Sequence, residues 1–180
     1  LKLDQQGNFV WAKSIGGSSH NYGNSVDLDV TGNVYTLINF NNTVDFDPGS
    51  SVYNLTGTLA ILKLDSSGNF IWAKSFGGIG VDDGNSLTID GTGNLYLTGN
   101  FRDTVDFDPG LGVYNLTAPS NSTDVFISKL DANGNFIWAR NFGGTSSEIA
   151  YSVEISGSQL FVVGTFGGTV DFGTDLLVSN

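Results

Sequence analysis

An all-β fold of repeated four-stranded antiparallel meanders follows from three features of the sequence. A tryptophan-containing block recurs along the chain, Asp-x-x-Gly-Asn turn signals separate short apolar runs, and several of those runs are apolar on both faces. Composition agrees, because 25 glycines, 13 phenylalanines and only 14% charged residues suit short strands joined by tight turns better than helices.

The repeat dictates the architecture. LKLDQQGNFVWAKSIGG from Leu1 returns as LKLDSSGNFIWAKSFGG from Leu62 and SKLDANGNFIWARNFGG from Ser128, which aligns Trp11, Trp72 and Trp138. A second block follows each first one: GNSVDLDVTGNVYTLINF from Gly23, GNSLTIDGTGNLYLTGNF from Gly84 and AYSVEISGSQLFVVGTF from Ala150. A third block closes the unit, as TVDFDPG from Thr43, TVDFDPG from Thr104 and a shortened TVDFG from Thr169.

Each unit resolves into four strands. In the first complete unit they are expected at Asn24 to Leu28, Val34 to Phe40, Leu59 to Leu64 and Phe70 to Phe76. The turns at Asp29 to Asn33 and Asp65 to Asn69 place a glycine where the chain needs a left-handed residue. Phe70, Ile71 and Trp72 run together, as do Leu160, Phe161, Val162 and Val163. An antiparallel sheet with one wet face would alternate, so these runs call for sheets covered on both sides. Stacked propeller blades meet that demand better than a sandwich or a solenoid. The expected division is a half-blade over 1–17, blades over 23–78 and 84–144, and a partial blade over 150–180, together forming part of a larger propeller.

The string LDxxGNxxWAKxxGG, followed by GNSxxxDxxGNxYxTGxF and TVDFDPG, resembles the bacterial β-propeller repeat family called SBBP, and the likeness covers essentially the whole chain. That resemblance implies the propeller fold and a secreted or cell-surface location. The third unit departs from the pattern, with a shorter turn at Ser156 and Gly157 and no Asp-Pro-Gly.

A chain of 180 residues is long enough for a sizeable core. Its 18 acidic residues against 7 basic ones repel phosphate, which argues against nucleic acid and anionic membranes as partners. No apolar run is long enough to cross a membrane, so no insertion is expected. The lack of cysteine removes disulfides, thiolate metal sites and cysteine nucleophiles. Because Leu1 lies inside a repeat, the chain reads as a processed or internal piece.

In a meander, alternate turns share one end. The expected binding face is the end that carries the inserts Thr43 to Thr56 and Thr104 to Thr123 and the loops Ser18 to Tyr22, Ile79 to Asp83 and Thr145 to Glu148. It is acidic, through Asp45, Asp47, Asp82, Asp83, Asp103, Asp106, Asp108, Glu148 and Asp171. Asp-Pro-Gly is itself a turn signature, with Asp47 accepting backbone hydrogen bonds and Val44 and Phe46 tucking an extra hairpin against the blade edge. The alternative is a calcium site using Asp45 and Asp47, repeated at Asp106 and Asp108. No other cofactor is expected.

The repeated tryptophans are expected to pack blades together rather than stack sugars. Lys2, Lys63 and Lys129, with Lys13, Lys74 and Arg140, are expected as solvated edge charges or partners of neighbouring Asp. The sequons at Asn41, Asn54, Asn115 and Asn121 are expected from composition alone. With His20 as the single histidine and no phosphate cradle, catalysis has little support. The function expected is a non-catalytic extracellular or cell-surface interaction or adhesion module, binding protein or glycan, with further blades or a second copy covering its open faces. A structural part of a larger surface assembly is the alternative, and a glycoside hydrolase with two acidic groups ranks below both.

Overall fold

The computed structural model describes residues 1–16, 21–78, 82–119, 121–173 and 175–179. Its elements grow from the turns. In the first one the Asp29 carboxylate accepts the backbone N–H groups of Thr31 and Asn33, both at 3.0 Å, and the Asn33 side-chain amide at 2.8 Å. Gly32 takes φ +82° there, a conformation that a Cβ would strain. The same arrangement recurs at Asp4, Asp65, Asp90 and Asp131. In the third unit the turn shortens to Gly157-Ser158, with Gly157 at φ +61°.

Around these turns the strands form antiparallel meanders. The first half-blade pairs β1 (Lys2–Leu3) with β2 (Phe9–Trp11). The first complete blade runs β3 (Tyr22–Leu28), β4 (Val34–Asn39), β7 (Leu59–Leu64) and β8 (Phe70–Gly78), with a small hairpin of β5 (Thr43–Asp45) and β6 (Asn54–Thr56) inserted after β4. The second repeats this as β9 (Asp83–Ile89), β10 (Leu95–Phe101), β13 (Asp124–Leu130) and β14 (Phe136–Phe142), with the insert β11 (Thr104–Asp106) and β12 (Asn115–Thr117). The last unit holds β15 (Ile149–Ser156), β16 (Gln159–Thr165) and the hairpin β17 (Thr169–Asp171) with β18 (Leu176–Val178). These are propeller blades, stacked with their first strands side by side.

The stacking uses the Gly-Asn-Ser of each repeat. Asn24 donates to the Gly84 carbonyl at 2.6 Å, Ser25 Oγ accepts the Leu87 N–H at 3.1 Å, and Asp27 accepts the Ile89 N–H at 2.9 Å. At the next seam Asn85 donates to the Ala150 carbonyl at 2.7 Å and Ser86 Oγ accepts the Val153 N–H at 3.3 Å. An inner strand is a sheet edge, and its outward N–H groups are thereby satisfied by the blade before it.

Apolar side chains fill the space between sheets. Leu37, Leu59 and Ile61 of one blade join Leu87, Leu95 and Leu97 of the next in a single core. Every residue of β7 is buried, as the two-sided apolar runs require. The run in β16 differs: Phe161 is 57% and Val163 61% exposed, since the face of that sheet turned away from the second blade is uncovered among the described residues. Ile71 of the outer strand also faces out, at 42% exposure.

The insert hairpins lock neighbouring blades at their outer edge. Val105 and Asp106 of β11 pair with Gly78 and Gly77 at the end of β8, and Asp45 bridges Gly16 in the same way. Val44, Phe46, Val105 and Phe107 are buried, so the tucked hairpin is present. Phe107 lies 4.9 Å from Phe126 and 5.3 Å from Phe101, ring centre to ring centre, and 6.1 Å from Phe76 of the preceding blade. The Gly-Gly that ends one repeat and the Thr-Val-Asp-Phe of the next are therefore two halves of one contact.

Candidate functional site

At the turn end, each of the two complete blades carries an Asp, Tyr, Lys and Trp cluster. Lys63 Nζ sits 4.7 Å over the Tyr35 ring and 3.8 Å from Asp29, and it donates to the Ala132 carbonyl of the next blade at 3.3 Å. Lys2 donates likewise to Ser66 at 2.9 Å, and Lys129 lies 4.9 Å over Tyr96. Lys63 is thus paired with its neighbouring Asp as expected, but it is buried rather than solvated.

Burial alone would raise the Asp29 carboxyl, yet hydrogen bonds from Thr31 and Asn33 outweigh it and hold it down at about 2. The Tyr35 hydroxyl is pushed up by burial and by the Asp29 charge. Trp72 meets Tyr35 edge-on at 6.0 Å and rests on the turn of the next blade, where a Cβ at Gly134 would lie 3.1 Å from it. Trp11 does the same at Gly68 and donates its indole N–H to Ser66 at 3.2 Å. These tryptophans are half-buried blade contacts.

At the loop end the expected acidic residues do not form one face. Asp45 accepts the N–H groups of Asp47 at 3.0 Å and Tyr53 at 2.8 Å, and Asp47 accepts that of Gly49 at 2.7 Å. Asp106 and Asp108 repeat these bonds. All four belong to the hairpins at the outer edge of the seams, engaged in turn geometry, and Asp171 accepts the Gly173 N–H there. Among the described residues no group of three or more His, Cys, Asp or Glu is placed to hold a metal.

Asp83 is half-buried and accepts from Asn39 at 3.2 Å, while Asp103 is exposed. Asp82 and Glu148, expected on the surface, are each only 2% exposed; the seam closes over them, which corrects their place on a contact face. The loops from Ser18 and Ile79 lie partly outside the described residues, as does His20.

Asp82 and Glu148 share a repeat position with Asn21, just before each inner strand, and each has one buried oxygen without a hydrogen-bond partner. Thr58 donates to Asp82 at 3.1 Å. Burial drives the Asp82 carboxyl up to about 7, against the Thr58 hydrogen bond and with help from the Asp83 charge. At the next seam the place of Thr58 is taken by Asp124, which the sequence reading passed over. The signal was available, because aligning Leu59 with Val125 sets Thr58 against Asp124. Burial raises both Asp124 and Glu148, opposed by Asn141 at the first and by the Gly144 N–H at the second, where the Asp124 charge adds to the rise.

The corner after each second strand keeps one backbone and changes its side chains. Asn42, Asp103 and Gly168 all have positive φ, at 67°, 58° and 63°. The pairs are Asn41-Asn42, Arg102-Asp103 and Gly167-Gly168, and their outer members are exposed in every blade.

Comparison with known proteins agrees with this architecture. The model of the SBBP β-propeller repeat matches residues 71–100, from the outer strand of one blade through the first two strands of the next. An uncharacterized WD repeat-containing protein of Acanthamoeba polyphaga mimivirus is 28% identical over 111 residues, covering 53% of this chain and 8% of that protein. The regulatory protein FlaEY of Caulobacter vibrioides is 26% identical over 106 residues, covering 59% of this chain and 11% of that protein. The chain spans about a tenth of the length of these curated relatives. Its resemblance to the SBBP repeat family and its propeller-blade fold stand on the matched segment and on the meanders together.

Proposed function

We propose that the chain is a non-catalytic interaction scaffold of a secreted or cell-surface protein, which presents the exposed corners of its blades to a protein or glycan partner. The observation that carries this reading is the corner itself. Asn42, Asp103 and Gly168 hold one backbone conformation while the side chains change from asparagine to arginine and aspartate to glycine. The residues that repeat faithfully are used up in seams and turns, and those free to differ stand exposed on a rigid frame, where recognition residues concentrate. Further blades of the same kind, from the same polypeptide or a second copy, would cover the open faces that include Phe161, Val163, Val26 and Leu28.

The structure offers the hydrolase reading little support. Asp124 and Glu148, which meet across a seam, are each only 2% exposed, and a glycosidase needs its carboxylates on either side of a bound sugar. Glycan and protein arrays, run beside assays on chromogenic glycosides, test the proposal. Retention without turnover is expected, weakened by Arg102→Ala with Asp103→Ala. Turnover abolished by replacing one aspartate would contradict it.

A further inference from the structure

The seam between the second complete blade and the unit after it holds two carboxylates that form no ion pair among the described residues. Asp124 and Glu148 are each 2% exposed, and Asp124 Oδ1 and Glu148 Oε1 are closed to water with no hydrogen-bond partner. Their other oxygens are occupied: Asn141 donates to Asp124 Oδ2 at 2.7 Å and the Gly144 N–H to Glu148 Oε2 at 3.2 Å, and the Gly167 N–H also turns towards the Glu148 carboxylate. The side chains converge on the Gly143-Gly144 pair, where Asp124 lies against the Gly143 Cα and Glu148 takes the next N–H. Arg102, at the start of the insert that leads into Asp124, spends its Nε on Thr123 at 3.0 Å, and Lys129 lies over the Tyr96 ring. Among the described residues the single ion pair is Lys63 with Asp29, in another blade.

The preceding seam shows what is missing. There Thr58, in the place of Asp124, donates its hydroxyl to Asp82, in the place of Glu148. Exchanging that hydroxyl for a carboxylate removes the donor and adds a second negative charge, and burying two such charges unpaired is costly.

We propose that a divalent cation of the calcium class binds between Asp124 Oδ1 and Glu148 Oε1. Hard cations take carboxylate oxygens, and a double charge neutralises both groups at once. An open groove of about 470 Å³, lined by Asp124, Arg140, Asn141, Gly143 and Asp171, opens beside the Asp124 end of the pair. Bound there, the ion ties the blade to the next unit through residues from both.

Calcium titration of the chelator-treated chain, by calorimetry and by melting at neutral pH, tests this. One saturable site is expected, with Kd of about 1 mM or tighter, and a melting temperature that rises with calcium. Asp124→Asn and Glu148→Gln should each weaken binding roughly tenfold or more. Asp106→Asn with Asp108→Asn should leave it unchanged. Asp124→Thr, which copies the Thr58 and Asp82 pair, should fold, lose the calcium response and melt above wild type in chelator. No saturable heat from wild type up to about 10 mM calcium overturns the proposal, whatever the pH dependence of melting. So does binding that survives Asp124→Thr, or that disappears with the Asp106 and Asp108 changes.

Discussion

Trp72 touches two blades at once: its indole stands edge-on to Tyr35 at 6.0 Å within its own sheet and covers Gly134 in the turn of the next. Because the ring is half-buried, Trp72→Ala should cost about 2–3 kcal/mol, below the range for a fully enclosed aromatic. Chemical denaturation checks this. Wild-type stability would free the tryptophan for stacking a ligand.

Phe107 is the wedge at the outer edge of the same seam and is fully buried among Phe76, Phe101 and Phe126. Phe107→Ala should cost more than Trp72→Ala, about 3–5 kcal/mol. Asp106→Ala should cost about 1–2 kcal/mol, because it strips an acceptor from the Asp108 and Tyr114 N–H groups. If the two hairpin variants unfold like wild type, the insert is a loose appendage.

The aspartates of the two ends respond to pH in opposite ways. Asp29 has a folded value held below its unfolded one, so its contribution is present above about pH 4 and is lost as pH falls towards about 2. Asp82 is raised to about 7, so its contribution is complete below about pH 4 and is lost as pH rises through 7. In chelator, Asp82→Asn should therefore stabilise the chain at pH 8, by on the order of 1–3 kcal/mol relative to wild type, and leave it nearly unchanged at pH 4. A variant less stable than wild type at pH 8 would show that Asp82 is compensated as an anion.

Much of this was legible in the residues. Recurrent Asp-x-x-Gly-Asn marked the turns, the apolar runs between them marked the strands, and alternation of Val44 and Phe46 foretold the tucked hairpin. The partners of such hairpins were hidden, since Asp45 pairs with Gly16 and Val105 with Gly78 across the boundary between repeats, and none of these residues carries a pairing code. The acidic face divided for a related reason. Asp45 and Asp82 lie at the same end of the chain's meanders, but seam closure decides which carboxylate meets water, and that depends on how blades stack. Asp124 escaped notice because the first residue of a strand reads as a turn residue until its counterpart Thr58 is seen to contact the next blade.

Stacking of blades through their first strands underlies every part of this account, and amide hydrogen exchange tests it most directly. The outward N–H groups of Leu87 and Ile89 have as partners Ser25 Oγ and Asp27 Oδ2, which belong to the preceding blade. Both amides should exchange slowly in the native chain, and Ser25→Ala and Asp27→Ala should each release one of them while β9 to β10 pairing stays protected. Fast exchange at Leu87 and Ile89 in the unaltered chain, with the rest of β9 protected, would contradict the stacked arrangement.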